Sequence, residues 1–357
     1  MALKNLLDIP LPEWEKLMLS WEQPAFRAGQ LAKWVFHSPA TDFPQMTDLP
    51  LALRQKLQKS FCLESLSPRG EVASRGEKAR KVLFQLRDGK TIESVLLSYE
   101  ERLSVCVSTQ VGCAIGCPFC ATGQQGFERQ LSAVEIVDQV LYFARRQGGD
   151  GHVGNVVFMG MGEPLANFAN TWRAVEVLNS ARGFGLGARR ITVSTAGLVP
   201  QIVQLSQQPL QVRLAVSLQA PDDALRNVLV PINRRYPLKE LMAACRSYGD
   251  RTGRRVTFEY VLFDGVNDSV RQAGELAHLL RGMGALVNLI PANASGDSRF
   301  RAPSQEKTAA FLKELENLGV KATLRARRGA DIVAGCGQLR SRAMARAGAE
   351  VSPPFAP

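Results

Sequence analysis

The chain has 357 residues, of which 45% are hydrophobic and 22% are charged, as in an ordinary soluble globular protein. It has no apolar run of about 18 residues and no signal-peptide pattern at its N-terminus, so we expect a cytoplasmic protein that does not span a membrane. Seven cysteines, an odd number, argue against a secreted disulfide framework and favour metal-binding or catalytic thiols. The net charge of +11 favours a polyanionic partner such as nucleic acid, the alternative being general solubility.

The first part of the chain is predicted to form a small helical unit. Three stretches in it show helix-length apolar periodicity bounded by proline or a polar break: 12–21, 24–36 and 50–61. Its tryptophans are more typical of a core than of base stacking, whereas its lysines and arginines could contact RNA phosphates. We therefore expect a helical accessory RNA-contacting domain over residues 1–65, followed by a basic link from residue 67 to residue 81.

A β-hairpin is predicted after this link. Residues 82–86 and 91–98 are interpreted as two strands around Asp88-Gly89-Lys90, because Asp-Gly between apolar runs is a strong hairpin signal. We assign residues 66–102 to this hairpin linker region. Glu93 lies in the second strand, and the sequence alone favours a carboxylate that faces solvent.

From residue 103 onward, short apolar strands alternate with helices. The predicted strands are 103–108, 155–159, 190–194, 212–217, 255–262, 287–291 and 322–325, and the predicted helices are 132–147, 171–181, 238–248, 270–283 and 304–318. The helix at 132–147 begins with a Ser132-x-x-Glu135 capping box. This alternation indicates an α/β fold whose parallel sheet is closed or partly closed into a barrel. We place this domain at residues 103–345 and a flexible tail at 346–357.

Polar residues follow several of the predicted strands, where barrel enzymes gather their chemistry. Glycines in the segment 159–164 would let the backbone approach a ligand closely, and a carboxylate there could accept a hydrogen bond from an amine. The candidate ligand-binding residues at these strand ends are Gly162, Glu163, Ser194, Ser217, Leu218, Gln219 and Asn293. Because several such ends would meet at one barrel mouth, we favour a binding site over ordinary turn chemistry.

Three cysteines are grouped at Cys113, Cys117 and Cys120, with glycines between them. Buried structural cysteines fit poorly with this small, polar loop. A structural zinc site needs four ligands, and no fourth cysteine or histidine follows at zinc-finger spacing. Iron-sulfur clusters are held by cysteine thiolates, and a cubane with three protein ligands keeps one iron open for a small molecule. The spacing therefore favours an iron-sulfur centre over zinc.

A lone cysteine, Cys336, lies near the C-terminus between two glycines. The two glycines would leave the Cys336 thiol mobile and exposed, as reactive cysteines are. Isolated cysteines are also often buried and inert, as we expect for Cys62 and Cys245. On spacing alone, a functional and a structural role for Cys336 remain equally open.

The pattern Cys-x-x-x-Cys-x-x-Cys resembles the motif of the radical S-adenosylmethionine (radical SAM) superfamily. Four further segments extend the resemblance over nearly the whole chain: Met159-Gly160-Met161-Gly162-Glu163-Pro164, Pro231-Ile232-Asn233, Ala334-Gly335-Cys336-Gly337-Gln338-Leu339 and Met46-Thr47-Asp48-Leu49-Pro50. Together they resemble the RlmN/Cfr family of radical SAM RNA methyltransferases, and RlmN more than Cfr. The resemblance implies a partial (β/α)6-type radical SAM barrel with a small N-terminal helical accessory domain. It also implies a [4Fe-4S] cluster on the three grouped cysteines and bound S-adenosylmethionine.

The same resemblance implies methylation of an adenine ring carbon in large-subunit ribosomal RNA, at C2 for RlmN or C8 for Cfr, and also in tRNA for RlmN. By matching positions, Cys336 carries the methyl group, Cys106 releases the product through a transient disulfide, and Glu93 takes the proton from the ring carbon. The strand-end residues given above match the family's SAM contacts. The expected partners are the RNA and an electron donor such as a flavodoxin-type reductant, and we expect a monomer.

Some residues depart from the family pattern. The family usually has Ser-Leu-His where this chain has Ser217-Leu218-Gln219, and an additional acidic residue at Ala330. These changes leave several alternatives open. They are Cfr-like C8 methylation, a divergent paralogue acting on another RNA adenosine, a non-catalytic iron-sulfur RNA-binding protein, and a radical SAM enzyme with a small-molecule or peptide substrate.

Overall fold

The computed structural model describes residues 3–100, 102–146, 152–293, 299–325, 329–335 and 337–339. The N-terminal region contains β1 (Lys4–Asn5), α1 (Trp14–Ser20), α2 (Arg27–Ala32), α3 (Leu51–Ser60) and β2 (Phe61–Cys62). The three helices fall within the three predicted stretches, and a π-helical turn, Lys33–His37, continues α2. Trp14 is 1% exposed, β1 pairs with β2 in parallel, and the buried apolar residues of this unit are continuous with the core of the rest of the chain.

The remaining strands form one large sheet and one small hairpin. They are β3 (Leu66–Ala73), β4 (Ala79–Leu86), β5 (Thr91–Tyr99), β6 (Arg102–Cys106), β7 (Gln110–Gly112), β8 (Phe127–Gln130), β9 (Val153–Phe158), β10 (Ile191–Thr195), β11 (Arg213–Ser217), β12 (Thr257–Leu262), β13 (Leu286–Pro291) and β14 (Lys321–Leu324). Among the described residues the large sheet has ten strands in the order β14-β13-β12-β11-β10-β9-β6-β5-β4-β3. β7 and β8 pair separately.

The part of this sheet from β6 to β14 is parallel, and helices connect its strands. The helices are α4 (Ala121–Gln124), α5 (Ala133–Arg146), α6 (Phe168–Asn179), α7 (Val199–Ser206), α8 (Asp223–Leu229), α9 (Leu238–Thr252), α10 (Val270–Leu279) and α11 (Gln305–Asn317). None of the helices in the described ranges is long and apolar enough to cross a membrane. The predicted α/β barrel class is confirmed.

Three helices of this domain, α4, α7 and α8, were not predicted. They have 4, 8 and 7 residues, which is too short to show a clear apolar period. By contrast, the 14-residue α5 buries Ile136 and Val140 on one face, and its predicted capping box is present. In that box the Ser132 hydroxyl accepts the Glu135 N–H at 3.2 Å, and the Glu135 carboxylate accepts the Ser132 N–H at 2.8 Å.

The segment before β6 differs from the expected linker. β4 and β5 form a hairpin around Asp88, but β5 also pairs antiparallel with β6, so the hairpin extends the barrel sheet. Residues 67–73, expected as a link, belong to β3, the outermost strand. Pro68 and Gly70 hid this strand, and its register shifts between them. Proline and bulges of this kind are tolerated at sheet edges, because an edge strand leaves N–H groups unpaired.

The loop that carries the grouped cysteines, residues 113–126, is closed at its base by the β7–β8 hairpin. The Cys113 N–H donates to the Gly126 carbonyl at 2.8 Å. Arg129, on β8, donates to the Glu135 carboxylate at 2.8 and 2.9 Å and to Asp88 at 2.6 Å. These contacts fix the hairpin to the start of α5 and to the β4–β5 turn. We call residues 113–126 the cluster loop.

Gly112 closes the cluster loop, and substituting it should open the base of the loop. Gly112 and Gly116 both have left-handed backbone, with φ of 76° and 72°. A Cβ at Gly112 would lie 1.9 Å from the Gly126 carbonyl oxygen, whereas one at Gly116 would have no atom within 4 Å. In urea denaturation we expect Gly116→Ala to lower the free energy of unfolding by about 1–2 kcal/mol and Gly112→Ala by roughly 3–5 kcal/mol. Equal losses for the two variants would contradict this packing.

Candidate active site

One cavity lies at the carboxyl ends of the parallel strands, beneath the cluster loop. Its walls include residues that the sequence assigned to two different ligands: Cys113, Cys117, Cys120, Gly162, Glu163, Ser194, Ser217, Gln219 and Asn293. Apolar side chains from the loop and from the strand ends complete the wall, among them Ile115, Phe119 and Phe263. The structure thus brings the grouped cysteines and the strand-end residues to one place.

Two of the cysteines on this wall, Cys113 and Cys117, have raised pKa values. Burial raises the pKa of Cys113 to about 12 and that of Cys117 well above its usual range, and the mutual repulsion of neighbouring thiolates adds to both shifts. Cys62, Cys113, Cys117, Cys120 and Cys245 are free thiols. The thiols of Cys113 and Cys117 would ionise more readily if a bound cation compensated their charge.

The glycines after β9 serve the packing of the chain itself. A Cβ at Gly160 would lie 2.6 Å from the Val107 carbonyl oxygen, and one at Gly162 would lie 2.5 Å from Cβ of Gln110. Gly162 also has a φ of 101°, which side chains rarely adopt. The expectation that these glycines make room for a ligand is therefore incomplete, because both also make room for the segment after β6.

Glu163 is a buried carboxylate held by backbone N–H groups. Its Oε2 accepts from Ala196 at 2.7 Å, and its Oε1 accepts from Leu165 at 3.0 Å. Burial raises the pKa of Glu163 to about 7, against the opposing effect of these hydrogen bonds. The N–H of Glu163 donates to Gln110 Oε1 at 2.8 Å, which aligns the strand end with β7.

The ends of β10 and β11 contribute the next residues of the wall. Ser194 lies on β10 opposite Ala215 of β11, and Ser217 ends β11. Gln219 has left-handed backbone with a φ of 65°, and its Oε1 accepts the Val261 N–H at 2.6 Å. The side chain of Leu218 is fully buried in the core and is absent from the described cavity wall. The Leu218 N–H donates to the Glu259 carbonyl at 3.0 Å, so the backbone of Leu218 aligns the end of β11 with β12.

Sequence reasoning missed a buried arginine, Arg226 of α8. Its guanidinium donates to the carbonyls of Ala196, Leu218 and Ser217, at 2.7, 3.0 and 3.2 Å, and to Asn233 Oδ1 at 2.7 Å. Burial lowers its pKa to about 10. Arg226 thus ties together the segments that follow β10 and β11. The family-like segment containing Asn233 was the only sequence signal close to it.

Glu259 on β12 was also missed. It is 5% exposed and borders the cavity, with Oε1 accepting from Asn288 Nδ2 at 2.9 Å and Oε2 3.7 Å from Arg325 Nη1. Burial raises its pKa. A glutamate inside an otherwise apolar central strand is itself a signal of a site, because a buried carboxylate needs a compensating partner.

Glu93 and Cys106 lie outside the described cavity wall, on the sheet where β5 meets β6. The reading of Glu93 as solvent-facing is wrong, since Glu93 is 0% exposed. Cys106 pairs with Val95, two residues after Glu93, so the side chains of all three point to one face. The Glu93 carboxylate lies 3.3 Å from Lys81 Nζ, and its carbonyl accepts from the Ser108 hydroxyl at 2.6 Å.

Cys336 lies outside the described residues, as does the tail beyond residue 339. The residues on both sides of Cys336 contact the site. A Cβ at Gly335 would lie 2.3 Å from Asn293 Nδ2. The Gly337 carbonyl accepts the Ala121 N–H at 2.8 Å, and the Leu339 carbonyl accepts the Thr122 hydroxyl at 2.7 Å. The chain therefore runs along the cavity on either side of this position.

Known proteins match this chain over most of its length. The family model of the Radical SAM superfamily matches residues 107–277, and that of the ribosomal RNA large subunit methyltransferase N-terminal domain matches residues 4–63. A Chloroflexus aurantiacus protein named "Probable dual-specificity RNA methyltransferase RlmN" is 47% identical over 354 residues, covering 96% of this chain and 94% of the relative. A relative of the same name from Parafrankia sp. is 48% identical and covers 94% of this chain and 91% of its own length.

The chain belongs to the RlmN family of radical SAM RNA methyltransferases. The crystal structure of a radical SAM methyltransferase from Sphaerobacter thermophilus agrees, with a TM-score of 0.91 at 50% identity over 95% of this chain and 99% of that chain. The RlmN/Cfr resemblance and the radical SAM fold expected from the sequence are confirmed.

The RlmN family, as part of the radical SAM superfamily, uses a [4Fe-4S] cluster and S-adenosylmethionine. The cavity fits both groups. No three His, Cys, Asp or Glu side chains in the described ranges converge closely enough to bind one metal ion. Thiolates of a multi-iron cluster bind different iron atoms, so Cys113, Cys117 and Cys120 need only face one cavity, as they do. The carboxylates and amides on the wall match the polar groups of an amino-acid-containing ligand.

The titration of Glu163 should be visible in the stability of cluster-free protein. Its folded-state pKa of about 7 lies above its ordinary 4.5, so its contribution to stability is full below pH 4.5 and is lost as the pH rises through 7. Relative to Glu163→Gln, we expect the free energy of unfolding of the unaltered protein to fall by about 3 kcal/mol across this range. Urea denaturation at a series of pH values measures it. The exposed control Glu316→Gln should show the same dependence of unfolding free energy on pH as the unaltered protein. If Glu163→Gln also shows that dependence, the raised pKa of Glu163 is refuted.

Proposed function

We propose that this protein methylates C2 of an adenosine in large-subunit ribosomal RNA, and also in tRNA, through a methyl group carried on Cys336. The observation that carries the proposal is the course of residues 329–335 and 337–339. This segment contacts the cluster loop on one side of Cys336 and the sheet that bears Glu93 on the other. The two cysteines and the carboxylate that the proposed chemistry requires therefore belong to neighbouring elements.

The RNA substrate is supported by three observations. Relatives that are 47% and 48% identical to this chain are named probable dual-specificity RNA methyltransferases, and the N-terminal match is to a domain of large-subunit ribosomal RNA methyltransferases. The chain carries a net charge of +11. The N-terminal unit exposes Lys33, Lys56 and Lys59, which can bind phosphates without reading bases. We place this action in the cytoplasm as part of the proposal.

In this proposal Cys113, Cys117 and Cys120 hold the cluster. The SAM contacts come from Gly162, Glu163, Ser194, Ser217, Gln219 and Asn293, with Leu218 contributing through its backbone. When bound, these groups would supply the hydrogen-atom abstraction that makes the S-methyl group of Cys336 reactive enough to attack an aromatic carbon, which is not a nucleophile. A flavodoxin-type reductant fits the need for single electrons.

The chain's own residues then complete the transfer. The S-methyl group of Cys336 loses one hydrogen atom in that abstraction, and its carbon then bonds to the adenine ring carbon. The ring carbon loses its hydrogen as a proton to the Glu93 carboxylate, and the remaining unpaired electron would return to the cluster. The Cys106 thiolate attacks the Cys336 sulfur, so that an S–S bond forms while the bond from sulfur to the transferred carbon breaks. The electron pair of the broken bond leaves with that carbon, which takes up a proton and becomes the methyl group. An external reductant restores the two thiols.

Product analysis tests the reaction and its position on the base. The cluster is reconstituted without oxygen, SAM with a deuterated methyl group and a reductant are supplied, and ribosomal RNA and tRNA are digested for nucleoside mass spectrometry. We expect 2-methyladenosine. An 8-methyladenosine product would move the protein to Cfr-like chemistry. SAM cleavage without any methyladenosine would refute the RNA-adenine assignment, and RNA binding without SAM cleavage would indicate a non-catalytic binding protein.

Substituting Cys106 and substituting Cys336 should have opposite effects on adduct formation in the same assay. Cys106→Ala should accumulate a covalent protein–RNA adduct, because nothing attacks the Cys336 sulfur. Cys336→Ala should yield neither adduct nor methyladenosine. The control is Cys62→Ala, at a half-buried cysteine in the N-terminal unit, which should retain product. Denaturing electrophoresis of labelled RNA measures the adduct, and product without adduct in Cys106→Ala would contradict this assignment.

A further inference from the structure

Lys81 is a buried cation that the reaction outlined above does not use. It lies on β4, and its side chain is only 3% exposed. Lysines are almost never buried without a partner, because removing an ammonium from water is costly. The register places Lys81 opposite Val95, which in turn pairs with Cys106. Directly opposed residues in antiparallel strands share a face, so Lys81 lies on the same face as Cys106 and Glu93.

Two partners hold the Lys81 ammonium. Glu93 Oε1 lies 3.3 Å from Nζ, and both side chains of this pair are buried. Nζ also donates to the Val333 carbonyl at 3.0 Å. An ammonium has three donors, so it can bind a carboxylate and a carbonyl at once. Lys81 therefore joins the proposed proton acceptor to a residue three positions before Cys336.

Val333 belongs to a segment with further contacts at both of its ends. We call residues 329–335 and 337–339 the C-terminal strap. Near its start, Asp331 accepts the Arg75 N–H at 2.9 Å, and a Cβ at Gly329 would lie 3.0 Å from the Cβ of Ala79. Its far end binds the cluster loop through the carbonyls of residues 337 and 339. The strap thus spans from β4 to the cluster loop, and Lys81 provides its buried charged contact.

We propose that Lys81 is a positioning residue that fixes the Glu93 carboxylate and the C-terminal strap relative to each other. The inference rests on the proposed function for the roles of Glu93 and Cys336. In that reaction the adenine ring carbon is already bonded to the methylene group on Cys336 when the ring carbon loses its proton. The distance between the strap and the Glu93 carboxylate therefore governs the proton transfer. Misplacement of a reacting group by about 1 Å can cost a factor of roughly 100 in rate. A cation bound to both elements holds that distance.

A purely structural ion pair is the alternative, and removal of only one partner would leave a buried charge uncompensated. The test therefore uses four variants of the full chain. Lys81→Met removes the charge, and Lys81→Arg keeps it. The double variant Lys81→Met/Glu93→Met removes both charges and guards against loss of folding. Lys78→Met, at an exposed lysine on the turn before β4, is the matched control.

Hydrogen exchange tests the contact with the strap independently of activity. In Lys81→Met and in the double variant we expect amides of residues 329–335 to exchange roughly tenfold faster, the effect of losing one charge-assisted hydrogen bond. Peptides from α10, away from the strap, should be unchanged. Lys81→Arg and Lys78→Met should exchange like the unaltered protein. Unchanged exchange of the strap in both Met variants at Lys81 would overturn the inference.

The ratio of product formed to SAM cleaved tests the effect of Lys81 on the reaction. We measure methyladenosine formed per SAM cleaved in the reconstituted holoenzyme, because a general loss of structure would lower both quantities together. Lys81→Met should cleave SAM at the unaltered rate yet form roughly tenfold less product per cleavage, and Lys81→Arg should recover most of this ratio. An unaltered ratio in Lys81→Met would overturn the positioning role. If the unaltered protein forms no methyladenosine, the proposed function fails first, and the positioning role fails with it whatever the exchange data show.

Discussion

The site depends on one constraint: a loop with three cysteines must be held over the carboxyl ends of a parallel sheet with its thiols facing inward. An iron-sulfur cluster needs ligands at fixed positions, and a loop fixed at one end would spread them over many conformations. Here the β7–β8 hairpin closes the base of the cluster loop, Gly112 permits the close approach to Gly126, and Arg129 fixes the hairpin to α5. The C-terminal strap holds the other side through Ala121.

Buried charge is the second organising feature, and each buried group is compensated in a different way. Backbone N–H groups hold Glu163, carbonyl oxygens surround Arg226, and Glu259 has Asn288 and Arg325 beside it. Lys81 and Glu93 compensate each other. Such groups cost stability unless they are partnered, so their concentration around one cavity and the sheet beside it is a mark of function more than of folding. Arg226 shows how the two are connected, because it orders strand ends that line the cavity.

The sequence predicted the barrel well because central parallel strands are buried on both faces and read as apolar runs. It also located the three grouped cysteines, whose spacing is unusual in any other setting. Burial and local geometry were harder to predict. Glu93 could be recognised as buried only from its partner on the neighbouring strand, and the side chain of Leu218 lies in the core although both of its neighbours face the cavity. β3 was hidden by Pro68 and a bulge, which an edge strand tolerates. These features depend on contacts between distant parts of the chain.

The central claim is that the strap brings a methyl-carrying Cys336 to the same place as the cluster. Peptide mass spectrometry tests it directly on reconstituted protein incubated with deuterated-methyl SAM in the absence of RNA and then digested with trypsin. The account predicts a deuterated methyl group on Cys336 and unmodified Cys62, Cys106 and Cys245. A methyl group on another cysteine, or an unmodified Cys336 in protein that goes on to methylate RNA, would contradict it.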